Sequence, residues 1–107
     1  QILTEIGEEV FLSPSPGHSP GHVCIHARAR GAEAVVSGDV IHHPVQLDMP
    51  DLVMRADADP DLAAQSRRRV MEHCAGTSAL LCAGHIPFHS ISRVQEGGQA
   101  FRLAPAG

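Results

Sequence analysis

Apolar and polar residues alternate in short segments of this chain, a period of two that predicts half-buried β-strands. The alternation is clearest in residues 22–28, where Val23, Ile25 and Ala27 share one face and the residues between them share the other. Short apolar runs bounded by turn residues predict the other strands and hairpins. These predicted elements lie at 9–13, 34–37 (paired with 22–28 as a hairpin), 79–83 and 90–103 (a second hairpin).

A period near 3.6 residues replaces this alternation between Pro60 and Ala75 and predicts the main helix. Asp59 is a suitable N-cap, and Gly76 is expected to end the helix. The arginines at 67–69 are expected to form a solvated face of it. In the preceding stretch, 40–56, Pro44 and Pro50 would interrupt a helix, so it carries no clear element apart from a candidate short strand at 52–54.

Composition narrows the class of protein. The 107 residues have a formal net charge of −4 and contain no Trp or Tyr, so we expect no nucleic-acid partner. No apolar run is long enough to span a membrane, so no membrane partner is expected either. The three cysteines, Cys24, Cys74 and Cys82, include no CxxC pair. We expect reduced, buried thiols and a cytoplasmic location.

Three apolar segments each end in a turn that carries a histidine or an aspartate. The first turn, PGHSPGH at residues 16–22, carries His18 and His22. The later turns, SGD and AGH, carry Asp39 and His85. Strand ends that bring His and Asp together are typical of metal sites. We therefore expect the side-chain tips of His18, Asp39 and His85 to lie within about 8 Å of one another, as two bridged ions require.

The order PGHSPGH, SGD and GH resembles the C-terminal half of the metallo-β-lactamase fold superfamily, over roughly residues 8–103. The segments GDVIHHPVQ at 38–46 and GHIP at 84–87 are most similar to methyl parathion hydrolase-like and lactonase-like enzymes. The superfamily's first signature, HxHxDH, is absent, and the chain begins with Gln. The resemblance implies that 1–107 is the C-terminal part of one domain whose N-terminal half is missing. The implied fold class is α+β, half of an αββα sandwich with a mixed sheet and one main helix.

The resemblance also implies the metal ligands. His18, Asp39 and His85 would bind metal, and Asp39, whose two oxygens can each hold one ion, would bridge two ions and take part in catalysis. The complete protein would hold two divalent metal ions, zinc in the first place, with manganese or iron as alternatives.

The remaining histidines divide into two groups. His22 and His42 would support the ligands through hydrogen bonds or contact the substrate. His42 stands where known lactonases of the superfamily place a Tyr, which argues against acyl-homoserine lactonase activity. His26, His73 and His89 belong to no motif and are expected to be structural.

The activity that the resemblance implies is metal-dependent hydrolysis of a small-molecule ester, lactone, amide or phosphotriester by a metal-bound hydroxide. One alternative is a glyoxalase II-like thioesterase or an iron-dependent thiol oxidation. A second alternative is a fold relic or interaction module without catalysis.

A missing half would also leave part of the surface uncovered. In the superfamily two sheets pack face to face, so we expect the face formed by Val23, Ile25, Val35 and Leu81 to be bare. Such an apolar patch is rarely tolerated by a monomer. We expect the chain to form a homo-oligomer or to pair with the missing N-terminal half, and to have little activity by itself.

Overall fold

A computed structural model describes residues 4–5, 10–29, 31–43, 45–52, 54, 57–84, 91–97 and 100–105. Its strands are β1 (Thr4–Glu5), β2 (Val10–Pro14), β3 (Val23–Ala29), β4 (Ala32–Val36), β5 (Leu80–Cys82), β6 (Ile91–Gly97) and β7 (Ala100–Pro105). The helices are α1 (Val45–Asp48) and α2 (Pro60–Thr77), and one 3-10 turn spans Gly38–Val40. The strands form a single sheet in sequence order, antiparallel except for the parallel pair β4–β5. The predicted α+β class, with a mixed sheet and one main helix, is confirmed.

Helix α2 begins where its capping signals predict and ends later than expected. Asp59 accepts a hydrogen bond from the backbone N–H of Leu62 at 3.1 Å and so caps the first turn. The prediction that Gly76 ends the helix is wrong. Ser78 adopts the left-handed conformation instead, with φ of 62°, and the helix runs through Thr77. No helix within the described ranges is long and apolar enough to cross a membrane.

The two faces of the sheet differ in what covers them. Met71 and Cys74 of α2 pack in the core with Val35 and Leu81, and all four side chains are at most 1% exposed. The opposite face carries a row of apolar residues that runs across strands β3 to β6, and each residue pairs in register with the next one on the neighbouring strand. This row consists of Ile25, Val36, Cys82 and Ile91, and its three large aliphatic members are 41%, 43% and 56% exposed, respectively.

The expected membership of the bare face was therefore wrong in part. Val23 and Ile25 lie on the exposed face as expected, whereas Val35 and Leu81 lie on the covered one. The register explains the difference, because Ile25 pairs with Val36 and not with Val35. Consecutive apolar residues in a strand carry no alternation that could assign them to a face.

A buried glutamine organises the segment that the sequence left unassigned. The Gln46 side chain of α1 is fully buried, and its Oε1 accepts hydrogen bonds from the backbone N–H groups of His42 at 2.7 Å and His43 at 3.3 Å. Its Nε2 donates to the carbonyl of Leu52 at 3.1 Å. These bonds join residues up to six positions apart, so one side chain holds a short helix and the following turn together.

Arg67 departs most clearly from expectation. It was expected on a solvated face, but it is 1% exposed and reaches from α2 into the loop around α1. Its guanidinium donates to the carbonyls of Val40 at 2.8 Å and Leu52 at 3.2 Å, and also to that of Pro50. Three backbone carbonyls from the loop around α1 converge there, and one buried cation donates to all three.

We predict that Arg67→Ala lowers the free energy of unfolding by about 3 kcal/mol or more, because it removes a donor from the carbonyls of Val40 and Pro50 and one of two donors from that of Leu52. The neighbouring variant Arg68→Ala serves as the control. Arg68 pairs with the exposed Asp51 at 2.8 Å, and loss of such a surface pair costs less than about 1 kcal/mol. Urea unfolding of both variants checks this, and similar losses would contradict the role given to Arg67.

Candidate metal centre

The PGHSPGH turn is fixed to the start of α2. The carbonyl of Gly17 accepts a hydrogen bond from Asp59 N–H at 2.8 Å, and that of His18 accepts one from Ala58 N–H at 3.1 Å. Gly17 has φ of +138°, and a Cβ there would lie 2.1 Å from the backbone nitrogen of Ala63. Only glycine allows the turn to approach the helix this closely. The orientation of the His18 side chain therefore depends on the N-terminus of α2.

His22 joins this turn to the turn that carries Asp39. Its Nε2 accepts a hydrogen bond from the backbone N–H of Asp39 at 2.9 Å, so the neutral ring carries its proton on Nδ1 and donates it to Ser15 Oγ at 2.7 Å. Gly38, with φ of +54°, leaves room for the ring, since a Cβ would lie 2.9 Å from Nε2. Burial lowers the pKa of His22, and His18 adds to this effect, although the charge of Asp39 opposes it. The lowered pKa favours the neutral ring that the two hydrogen bonds require.

His18 and Asp39 come together at the end of this arrangement. His18 Nε2 lies 3.5 Å from Asp39 Oδ2, well inside the distance expected from the sequence. On the other side of the ring, Nδ1 lies 3.2 Å from Oδ1 of Asp57. A carboxylate that accepts the Nδ1 proton fixes the tautomer and turns Nε2 towards Asp39, which is the usual arrangement behind a metal-binding histidine.

His42 faces the same point from the other side. Its Nε2 lies 3.8 Å from Asp39 Oδ1, and its ring centroid lies 4.8 Å from that of His18. Ligand-type atoms of His18, His42 and Asp57 all lie within 4.8 Å of one another. The Asp39 side chain is 43% exposed, so the point where these groups meet is open to a ligand. Imidazole nitrogens and carboxylate oxygens at these separations suit a divalent transition metal.

His85 lies outside the described residues, so its position stays a prediction. The strand before it is informative. Strands β4 and β5 are parallel, and Ser37 N–H donates to the carbonyl of Cys82 at 3.1 Å. The chain therefore leaves both strands at the same edge of the sheet, the edge that presents Asp39.

Asp57 is the residue of this site that the sequence did not indicate. Its side chain is 1% exposed, and Oδ2 also accepts from the backbone N–H of Met54 at 3.4 Å. Asp57 stands two positions before Asp59 in the sequence. An acidic residue next to a helix cap indicates no metal site by itself. No spacing relates Asp57 to His18, because they are brought together only by the packing of the turn on α2.

Comparison with known proteins supports the fold. No protein-family model matches the chain, and no curated protein sequence does. The chain superposes on AidC, a dizinc quorum-quenching lactonase, with a TM-score of 0.88 and 22% identity over 97% of this chain and 36% of AidC. It superposes equally well on AbOPH, a hydrolase of the β-lactamase superfamily, with 27% identity over 96% of this chain and 36% of that one.

A third solved structure, an N-acyl homoserine lactone hydrolase with its product bound at the catalytic metal centre, matches with a TM-score of 0.65. The identity is 26%, over 78% of this chain and 33% of the hydrolase. The chain thus spans about a third of the length of the structures that it matches. These likenesses confirm the fold that the three turns predicted.

We predict that Gly17→Ala destabilises the protein by about 2 kcal/mol or more, through strain at positive φ and the contact with Ala63. The matched control is Gly21→Ala in the same turn, where a Cβ would meet nothing within 4 Å. Thermal unfolding measures both variants. If Gly21→Ala lowered the melting temperature as much as Gly17→Ala, the close packing of the turn on α2 would not be what fixes it.

Proposed function

Since this chain has the fold of the metallo-β-lactamase superfamily, we propose that it supplies part of the active centre of a metal-dependent hydrolase. The observation that carries this proposal is the approach of His18 Nε2 to Asp39 Oδ2 at 3.5 Å. Asp57 and His22 support it, because they hold these two groups from behind. Two hydrogen-bonded turns that present one imidazole and one exposed carboxylate to each other are suited to binding a cation.

In this proposal His18, Asp39 and His85 would hold two divalent ions, and the two oxygens of Asp39 would allow it to serve both. Zinc is the first choice, with manganese and iron as alternatives, because imidazole and carboxylate donors suit all three. Ions bound there would act as Lewis acids and lower the pKa of water towards roughly 7. The part of this chain is to fix the ligands: Asp57 keeps the Nδ1 proton of His18, and His22 holds the Asp39 backbone in place.

The substrate in this proposal is a small-molecule ester, lactone, amide or phosphotriester. His42 is the residue of this chain best placed to influence the choice, because its Nε2 lies 3.8 Å from Asp39 Oδ1. A polar imidazole there can donate a hydrogen bond to an oxygen of the bound substrate or hold the Asp39 carboxylate. A panel of the four substrate classes, run on the full-length protein and on His42→Phe, would show which class depends on that hydrogen bond.

For the full-length protein we predict that Asp39→Asn lowers metal-dependent hydrolysis by at least about 100-fold, since loss of a supporting group alone costs about 10–100-fold at metal sites. Asp48→Asn is the control, because it makes the same substitution at an aspartate that lies exposed on α1. Steady-state rates and bound metal are measured on both variants. Unchanged activity and metal content in Asp39→Asn would refute the proposed ligand role.

We further propose that the bare sheet face is covered by the N-terminal half of the complete protein, as a second sheet covers it in an αββα sandwich. The exposed row of Ile25, Val36 and Ile91 supports this, since each of these side chains is at least 41% exposed. The length of the matched structures also supports it, because the chain spans only 36% of AidC. Without that partner, the same face would bring copies of the chain together.

The chain alone is therefore predicted to self-associate at micromolar concentration, and the double variant Ile25→Lys/Val36→Lys is predicted to shift it to a monomer. Two charges in this four-residue row make its burial against a second copy unfavourable. Gln65→Lys, on the exposed face of α2, adds a charge without touching the row and serves as the control. Light scattering checks this, and a monodisperse monomer of the unmodified chain would argue against the proposal.

A further inference from the structure

A second cluster of ligand-type side chains lies between the sheet and α2 and shares no residue with the candidate metal centre. It joins His26 of β3, Glu33 of β4 and His73 of α2. Oε2 of Glu33 lies 3.2 Å from His26 Nδ1 and 2.5 Å from His73 Nε2. One ligand-type atom from each of the three residues lies within 4.8 Å of the other two. Two imidazoles from separate elements thus converge on one carboxylate oxygen.

The surroundings of the cluster fix this arrangement. Arg28 pairs directly with Glu33 across β3 and β4, and its Nε donates to Oε1 at 2.6 Å. The other carboxylate oxygen, Oε2, is left for the two histidines. On the far side of the His26 ring, Nε2 lies 2.7 Å from Ser13 Oγ, and the ring stacks on Phe11 with centroids 4.6 Å apart.

The carboxylate is ionised over the whole neutral range. Burial alone would raise the pKa of Glu33, but hydrogen bonds from His73, Arg28 and His26 outweigh it and lower the pKa to about 2. The cluster therefore offers one anionic oxygen and two imidazole nitrogens, which is a donor set that zinc accepts.

We propose that His26 Nδ1, Glu33 Oε2 and His73 Nε2 form a second transition-metal site, with zinc as the ion that fits it best. Zinc bonds of about 2.0–2.2 Å would place tetrahedral donor atoms about 3.4 Å apart. His26 and Glu33 are already at 3.2 Å, and His73, on the helix surface with 34% exposure, has to withdraw by about 1 Å. With Nδ1 on the metal, His26 donates its Nε2 proton to Ser13, which fixes the ring as metal-bound histidines require.

Three protein ligands leave a fourth position open, and the structure provides access to it. A cavity of about 250 Å³ borders the cluster. Its lining includes His26 and His73 together with Phe11, Ser13, Arg28 and Arg69. Because two of these residues are arginines, the fourth ligand is expected to be water or a small anion.

Zinc titration of the chain tests the site, in a background where His18→Gln and Asp39→Asn remove the other centre. We expect isothermal titration calorimetry to show that this background binds one zinc ion. His73→Gln should weaken zinc binding at least tenfold, because even loss of a group that only supports a ligand costs about 10–100-fold in metal affinity. Glu33→Gln should do the same. Glu72→Gln, an exposed neighbour on α2, is the control and should leave the affinity unchanged.

Circular dichroism without zinc shows whether each variant is folded, and His73→Gln is the safest variant because the ring lies at the helix surface. Amide shifts in ¹H–¹⁵N spectra should place the bound zinc next to Glu33 and His73. The proposal is overturned if the background binds no zinc. It is equally overturned if folded His73→Gln and Glu33→Gln bind zinc as tightly as the background does.

Discussion

The candidate metal centre depends on the two hydrogen bonds of one imidazole, His22. One nitrogen accepts from the backbone of Asp39 and the other donates to Ser15 at the end of β2. The turns that carry His18 and Asp39 follow different strands, and this ring and the contact of His18 with Asp39 link them through side chains. A neutral ring is needed for both bonds, and burial favours that form.

The start of α2 is the second support. Three consecutive residues there cap the helix, hold the backbone of the PGHSPGH turn and orient His18 from behind. Asp59 does the first, Asp59 and Ala58 the second through their N–H groups, and Asp57 the third through its carboxylate. Since Gly17 lets the turn approach the helix, a single packing contact sets the direction of the histidine. The start of α2 thus supports the candidate metal centre although it contributes no proposed ligand to that centre.

The features that sequence predicted well are those set by neighbouring residues. The alternation in β3, the Asp59 cap and the strand-end turns that carry His18 and Asp39 are local patterns, and the structure has them where they were expected. What the sequence did not reveal depends on partners far along the chain. Burial of Arg67 needs carbonyls 15 to 27 positions away, and Asp57 meets His18 across 39 positions.

The two faces of β4 show the same limit, because the apolar run at 34–36 cannot distinguish the covered from the bare side without the register of its neighbour. The cluster of His26, Glu33 and His73 was invisible for a similar reason, since no motif spacing joins a strand pair to a helix 40 positions on. Local patterns therefore predicted where the turns lie, and tertiary packing decided which side chains support them.

Anomalous diffraction at the zinc edge, from crystals of the full-length protein grown with zinc, tests the account most directly. We predict a zinc peak at about 2.0–2.2 Å from both His18 Nε2 and Asp39 Oδ2, with His18 Nδ1 still hydrogen-bonded to Asp57. A zinc-loaded, active protein with no peak at these two atoms, or with His18 turned away from Asp39, would contradict the account.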